Sequence, residues 1–228
     1  MREEQARAYL SSAVVRKSRE RPAFWDNRAH NNPTQPVIGL TWFEAAAYCV
    51  WLSAATGRPF QLPSNVEWEA AAGGAWAKTY PWGSDWVAGR ANTIEGRVQA
   101  PSPVGAYAAS GGRGPLEAED QSGNVWEWTR SQSKRAPGNR ADSYGVSGEH
   151  CVRGGSWDSS HKAARCAQIE RYAPAYFSDN LGFRVVSSVA LPASPSAETM
   201  PIQLPLMQET EDAQHEPAAM SSGKDTHG

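Results

Sequence analysis

Hydrophobic positions follow a helical period in one long stretch of the chain, residues 42–56. Apolar residues recur there at the spacing of a single helix face. Thr41 and Glu44 form a capping box at its start, since each can satisfy a free backbone N–H of the first turn. Gly57 suits the left-handed position that follows a helix. The pattern predicts a helix from residue 42 to about residue 56.

A second capping box, Ser64 with Glu67, predicts a short helix that ends at residues 73–74. Beyond it no helical period survives, and glycine, serine and aspartate alternate with scattered aromatic residues. Short apolar runs predict strands at residues 37–40, 125–128 and 182–186. The fold class predicted is α+β, with two helices, short strands and long loops.

Tryptophan dominates the composition. The chain has 228 residues and ten Trp, all between Trp25 and Trp157. Three of the four Met lie after residue 199. A core of aromatic and small residues favours a rigid, irregular fold over a helix bundle.

Charge and hydropathy exclude several classes of function. The formal net charge of −2 gives no basic footprint for nucleic acid. The longest apolar stretch, residues 45–55, is too short to span a bilayer. The first residues lack an apolar signal core, and the three Cys form no CxxC pair. A cytoplasmic, reducing compartment is predicted.

The last segment, residues 191–228, differs in composition from the rest. It holds five Pro, six Asp or Glu, one Lys and no aromatic residue. Such a segment buries too little apolar surface to offset its ordering entropy. We predict a disordered, acidic tail there.

Six motifs in a fixed order resemble the formylglycine-generating enzyme family, also called the sulfatase-modifying factor family. The resemblance covers about residues 22–187 and implies a loop-rich variant of the C-type-lectin-like fold, with a domain over residues 22–190. It also implies that six tryptophans are scaffold residues: Trp42, Trp51, Trp68, Trp82, Trp126 and Trp128. The motifs are PVIGLTWFEAAAYCVWL (36–52), LPSNVEWEAAAGG (62–74), YPWG (80–83), SGNVWEWT (122–129), RGGSW (153–157) and LGFRVV (181–186).

Family members usually begin earlier, with strands that precede anything in this sequence. The resemblance therefore implies a truncated start, in which residues 1–21 form an N-terminal segment with a short helix. One interpretation that follows is a truncated pseudoenzyme fragment.

The resemblance also bears on catalysis. The family's oxidases bind copper with two cysteines after the GGS motif, but this chain has Ser159 at about the first position. A hydroxyl cannot replace a soft thiolate as a Cu(I) ligand. Cys166 matches a structural position, and Cys49 is expected to be a buried small hydrophobe. We therefore expect no copper and no catalytic residue, with an oxygen-dependent oxidase as the alternative.

The same resemblance implies a Ca²⁺ site in the loop before the WEW motif. Its ligands would be Asp120, the carbonyl oxygens of Gly123 and Val125, and the carboxylate of Glu127, since hard oxygens suit Ca²⁺. The alternative is that Glu127 pairs with an arginine and Gly123 only turns the chain. A second family site at residues 92–93 is not expected, because its acidic loop is shortened.

The stretch between GGSW and LGFR differs from the family pattern. Tyr, Ala, Phe, Ser, Asp and His are all reachable from an Asn codon by changing only its adenines. That is the signature of variable proteins of diversity-generating retroelements, which predicts a bacterial protein that binds an unknown protein or small-molecule ligand. The predicted binding residues are Trp157, Asp158, Ser159, Ser160, His161, Tyr172, Ala173, Ala175, Tyr176, Phe177, Ser178 and Asp179.

The alternative for this stretch is ordinary family drift, with its aromatic side chains partly buried. His161 has no metal partner at ligand spacing and is expected to be exposed to solvent. Trp126 and Trp128 are expected to pack in the core. The function predicted is a non-catalytic ligand-binding module.

Overall fold

Both helices begin at the capping boxes found in the sequence. The structure is a computed structural model that describes residues 21–133 and 148–188. Helix α1 spans Trp42–Thr56; Thr41 Oγ1 accepts a hydrogen bond from the Glu44 N–H, and the Glu44 carboxylate accepts one from the Thr41 N–H. Gly57, with φ of 67°, ends the helix in the left-handed region.

Helix α2 spans Asn65–Gly73 and repeats the arrangement. Ser64 Oγ accepts from the Glu67 N–H, and the Glu67 carboxylate accepts from the Ser64 N–H. The two predicted helices are therefore confirmed. Two short 3₁₀ turns follow, at Gly74–Trp76 and Ile94–Gly96.

The strands are short and form two sheets. They are β1 Phe60–Gln61, β2 Trp126–Gln132, β3 His150–Arg153, β4 Glu170–Tyr172, β5 Leu181–Phe183 and β6 Val186–Ser187. A four-stranded sheet has the order β4-β3-β2-β5; β3 is antiparallel to β2 and β4, and β5 is parallel to β2. A separate antiparallel pair joins β1 to β6.

The strand predictions succeed in part. The prediction at 125–128 corresponds to β2, and the prediction at 182–186 is divided between β5 and β6. The prediction at 37–40 is wrong, since no strand forms there. Gly39 adopts φ of 74°, and its N–H donates to the carbonyl oxygens of Ser178 and Leu181. The Gly39 N–H is shared between a loop residue and the first residue of β5, and no ladder develops.

Tryptophan supplies the largest side chains of the core. Trp42, Trp126 and Trp128 pack with α1 in the main cluster, and Trp68 forms a second cluster with Cys166. Trp126 and Trp128 are buried, as predicted. The scaffold prediction is wrong for Trp51, which is 48% exposed on the outer face of α1, and Trp82 is only partly buried.

The predicted N-terminal segment, apart from Arg21, and the predicted acidic tail lie outside the described residues. Within the part of the chain that is described, no helix combines the length and apolar character needed to cross a membrane.

Candidate functional site

The twelve predicted binding residues lie in two segments, 157–161 and 172–179, and none of them is buried. Six are exposed: Asp158, Ser160, Ala173, Ala175, Tyr176 and Phe177. The other six are half-buried: Trp157, Ser159, His161, Tyr172, Ser178 and Asp179.

Direct contacts join the two segments into one surface. The Asp158 carboxylate accepts hydrogen bonds from Nδ2 of Asn180, the residue that follows the second segment, at 3.0 and 3.1 Å. The indole N–H of Trp157 points to the Asp179 carbonyl oxygen at 3.5 Å. We call the surface formed by residues 157–161 and 172–179 the variable face.

Two tyrosines of the variable face form an aromatic pair. The rings of Tyr172 and Tyr176 stack with centroids 4.4 Å apart, and Trp128 meets Tyr172 edge-on from the core. Burial raises the pKa of Tyr172, and the nearby Tyr176, Glu170 and Asp158 raise it further. Tyr172 therefore stays a neutral hydroxyl, free to donate or accept a hydrogen bond.

Main-chain hydrogen bonds from the framework fix the backbone of the variable face. The Trp157 N–H donates to the Asn124 carbonyl oxygen at 2.9 Å. In the second segment, the Trp42 N–H donates to the Pro174 carbonyl oxygen and the Gly39 N–H to that of Ser178, each at 3.1 Å. None of these contacts uses a side chain of the variable face.

Hydroxyl groups occupy the position where the family's oxidases carry cysteine. Ser156 is fully buried; its hydroxyl lies 2.6 Å from the Asp158 carboxylate and 2.6 Å from the Ser159 hydroxyl. No basic side chain contacts this serine network in the hydrogen bonds described. The network orders the turn after the GGS motif rather than activating a nucleophile.

All three cysteines are free and buried. Burial raises the pKa of Cys49 and of Cys166 to about 12 in each case. Cys49 is a buried small hydrophobe, as predicted. A buried thiol held neutral in this way is a poor nucleophile at neutral pH.

The prediction for His161 is wrong in part. Its ring stacks on Trp86 with centroids 5.3 Å apart, and its Nδ1 lies 2.7 Å from the Glu95 carboxylate. The side chain is 33% exposed, so it is partnered rather than free in solvent. Sequence reasoning missed Glu95 because 66 residues separate it from its partner.

Three of the four predicted calcium ligands, Asp120, Val125 and Glu127, line one cavity, but both carboxylates have other partners. Arg184 binds both Glu127 oxygens, at 2.5 and 2.6 Å, and the Trp68 indole N–H donates to Glu127 at 2.6 Å. Asp120 accepts from the Gly105 N–H at 2.7 Å. This is the ion pair of the alternative interpretation, and a Ca²⁺ ion could use Glu127 only if Arg184 moved away.

A cavity of about 340 Å³ adjoins this ion pair. Apolar walls from Val125 and Phe183 face the carboxylates of Glu119 and Asp120 across it. Burial raises the pKa of Asp120, against the lowering effects of the Gly105 N–H and Arg184. The cavity is therefore acidic but partly neutralised.

The small mixed sheet, two capped helices and long anchored loops define a C-type-lectin-like domain whose GGS loop lacks the oxidase cysteines. The sequence matches the model of the sulfatase-modifying factor enzyme 1-like domain over residues 4–189. The chain belongs to this family, as its motifs predicted.

Relatives include both inactive and active proteins. The chain is 34% identical over 173 residues to inactive C-alpha-formylglycine-generating enzyme 2 of Bos taurus, covering 69% of this chain and 52% of that protein. It is 37% identical over 136 residues to hercynine oxygenase of Mycobacterium tuberculosis, covering 54% and 30%. The chain thus spans about half or less of the length of these curated relatives.

Solved structures confirm the fold. Treponema denticola variable protein 1 superposes with a TM-score of 0.58 at 20% identity, covering 67% of this chain and 70% of that one. PvdO from Pseudomonas aeruginosa also gives a TM-score of 0.58, at 25% identity, covering 68% and 62%. The α+β, loop-rich prediction is confirmed.

Proposed function

We propose that this chain is a non-catalytic ligand-binding module whose binding surface is the variable face. The proposal rests on one observation: in that face the backbone is anchored and the side chains are exposed. Framework residues hold its backbone through main-chain hydrogen bonds, while every one of its side chains is at least partly exposed. Apart from Asp158 and Ser159, whose side chains bond Ser156, side chains of the face can then be exchanged without moving the backbone. This suits recognition of a protein or small molecule by tyrosine, serine and aspartate.

The chemistry of the GGS turn supports a non-catalytic role. Copper in this family's oxidases requires thiolates, and the residues present do not fit that ion: Ser159 offers a hydroxyl, and the described cysteines are buried. No group of three or more His, Cys, Asp or Glu in the described ranges is arranged to hold a metal. One relative at 34% identity is itself named inactive.

Diversification of the variable face is the finer part of the proposal. A structural neighbour is named a variable protein, which agrees with the residue types found at these positions other than Trp157, all of them reachable from an Asn codon by changes at adenines. The test is genomic: we expect a neighbouring reverse-transcriptase gene and a near-identical repeat that differs from codons 157–179 only at adenines. Finding neither in a complete source genome would contradict diversification and favour family drift. We also propose that the protein is bacterial and cytoplasmic. The free cysteines support the cytoplasmic part, because thiols stay reduced in that compartment.

The hercynine oxygenase relatives favour an oxidase as the second candidate. Metal analysis and oxygen uptake separate the two functions. We expect the purified chain, supplied with copper or iron, to hold neither in stoichiometric amount and to consume no oxygen. Bound copper or iron together with oxygen uptake would establish an enzyme.

The same metal analysis tests the calcium prediction, which stays a prediction. One calcium per chain, removed by a chelator with a fall in melting temperature, is its expected signature. Because Arg184 now binds Glu127, that result would also require the two to separate. Unchanged melting with and without calcium would favour the ion pair.

Exposed side chains of the variable face should tolerate truncation. Tyr176 and Phe177 are 43% and 38% exposed, so we expect alanine at either to cost about 1 kcal/mol or less of unfolding free energy. Trp128→Ala, a fully buried control, should cost about 3–5 kcal/mol. Chemical denaturation measures all three.

Similar losses at Tyr176 and Trp128 would contradict the binding-surface assignment and favour family drift. A broad, non-cooperative transition in the unaltered chain would instead indicate a truncated pseudoenzyme fragment.

A further inference from the structure

We propose that Glu95 is a positioning residue for the variable face: it helps to hold the loop 158–161 through contacts to the main chain, which need no particular side chain at the contacted positions. This inference rests on the proposed function, because a loop with exchangeable side chains needs anchors that do not depend on them. Nothing in the sequence motifs singles out Glu95.

Three contacts join the turn Ile94–Gly96 to the loop. Glu95 Oε1 accepts a hydrogen bond from the backbone N–H of His161 at 3.0 Å. The Ile94 N–H donates to the Ser159 carbonyl oxygen, also at 3.0 Å. The third contact, from His161 Nδ1 to Glu95 at 2.7 Å, alone depends on a side chain of the loop. Any residue other than proline at position 161 can donate the first bond.

The turn that presents Glu95 is itself fixed to the core. Asn92 and Thr93, which precede it, are fully buried. Asn92 forms a β-bridge with Gly123, its carbonyl oxygen accepts from the Asn124 N–H at 2.8 Å, and its Nδ2 donates to the Ala100 carbonyl oxygen. The backbone just before Glu95 is therefore held in place, although the Glu95 side chain is 38% exposed.

Electrostatics agree with this geometry. Burial tends to raise the pKa of Glu95, but hydrogen bonds from Thr93 and from the His161 backbone and ring lower it to about 2. Because a free glutamate titrates near about 4.3, the contact is at full strength above that pH and is lost as the pH falls through about 2. A further titratable group near Glu95 is Tyr80, whose pKa is raised first by burial and also by the Glu95 charge.

Amide hydrogen exchange of the full chain, read by NMR at residues 159–161, tests the assignment. We expect Glu95→Ala to speed exchange of the His161 amide roughly tenfold or more. His161→Ala keeps both main-chain contacts, so its effect at residue 161 should stay within about threefold. Glu95→Gln keeps an acceptor oxygen and should recover most of the protection.

Two further readouts separate positioning from general stability. Protection of the His161 amide in the unaltered chain should fall between about pH 4 and pH 2, relative to the Val152 amide in β3, and Glu95→Gln should flatten this pH dependence. Glu117→Ala, at an exposed carboxylate paired with Arg113, serves as the matched control and should leave residues 159–161 unchanged.

An unchanged His161 amide in Glu95→Ala would overturn the assignment. Equal effects of Glu95→Ala and His161→Ala would also overturn it, because the anchor would then depend on the side chain of the loop. The measurement uses no ligand, so its failure is distinct from that of the proposed function, which the genomic and metal tests address.

Discussion

Replacing Glu127 by alanine is expected to lower the free energy of unfolding by about 3–5 kcal/mol. The carboxylate is 7% exposed and binds both the Arg184 guanidinium and the Trp68 indole N–H. Its removal leaves a largely buried positive charge and a buried donor without their partner, and an uncompensated charge costs more than the pair contributes. Guanidinium denaturation with a two-state fit provides the measurement.

Two variants serve as controls for this result. Glu127→Gln keeps the shape and one acceptor oxygen, so its loss should be smaller than that of alanine. Glu117→Ala removes a carboxylate whose pair with Arg113 lies at the surface and should leave stability nearly unchanged. Equal losses at Glu117 and Glu127 would show that the buried network contributes no more than a surface pair.

Gly123→Ala is expected to destabilise the fold by about 2–5 kcal/mol. Gly123 has φ of 73°, and a Cβ at this position would collide with the carbonyl oxygen of Asn92. That oxygen also accepts the Asn124 N–H, so the obstacle is fixed backbone rather than a movable side chain. Chemical denaturation again measures the loss, and failure to fold in soluble form is the extreme of the same result.

Gly57→Ala supplies the matched control for Gly123. Gly57 has φ of 67°, but no atom lies within 4 Å of its added Cβ. It should therefore show only the cost of the left-handed backbone, about 1–2 kcal/mol. If Gly123→Ala lowers the free energy of unfolding no more than Gly57→Ala does, the close approach of Gly123 to the Asn92 carbonyl oxygen makes no contribution to stability.

Local signals in the sequence predicted the helices well. Each helix begins at a capping box whose two partners are three residues apart, Thr41 with Glu44 and Ser64 with Glu67. A short stretch of sequence therefore shows both partners of each hydrogen-bonded pair. Ordered motifs predicted the family and hence the loop-rich architecture. These features need no knowledge of distant contacts.

The predictions that failed, or that could not be made, depend on contacts between residues far apart in the sequence. Residues 37–40 are apolar enough for a buried strand, but the Gly39 N–H bonds to the carbonyl oxygens of Ser178 and Leu181, about 140 positions away. The partner of Glu127 could be stated as some arginine but not as Arg184, 57 residues later. Trp51 lies within a family motif, yet the face of α1 that turns outward depends on packing elsewhere.

The three buried cysteines have a practical consequence for experiments on the protein. Their thiols are unexposed, and those of Cys49 and Cys166 ionise only near pH 12. Thiolates add to maleimide reagents, so the native chain offers almost no reactive thiol for these reagents to modify. A single cysteine introduced at exposed Ser160 would carry a fluorophore or spin label at the edge of the variable face, with the native cysteines left in place.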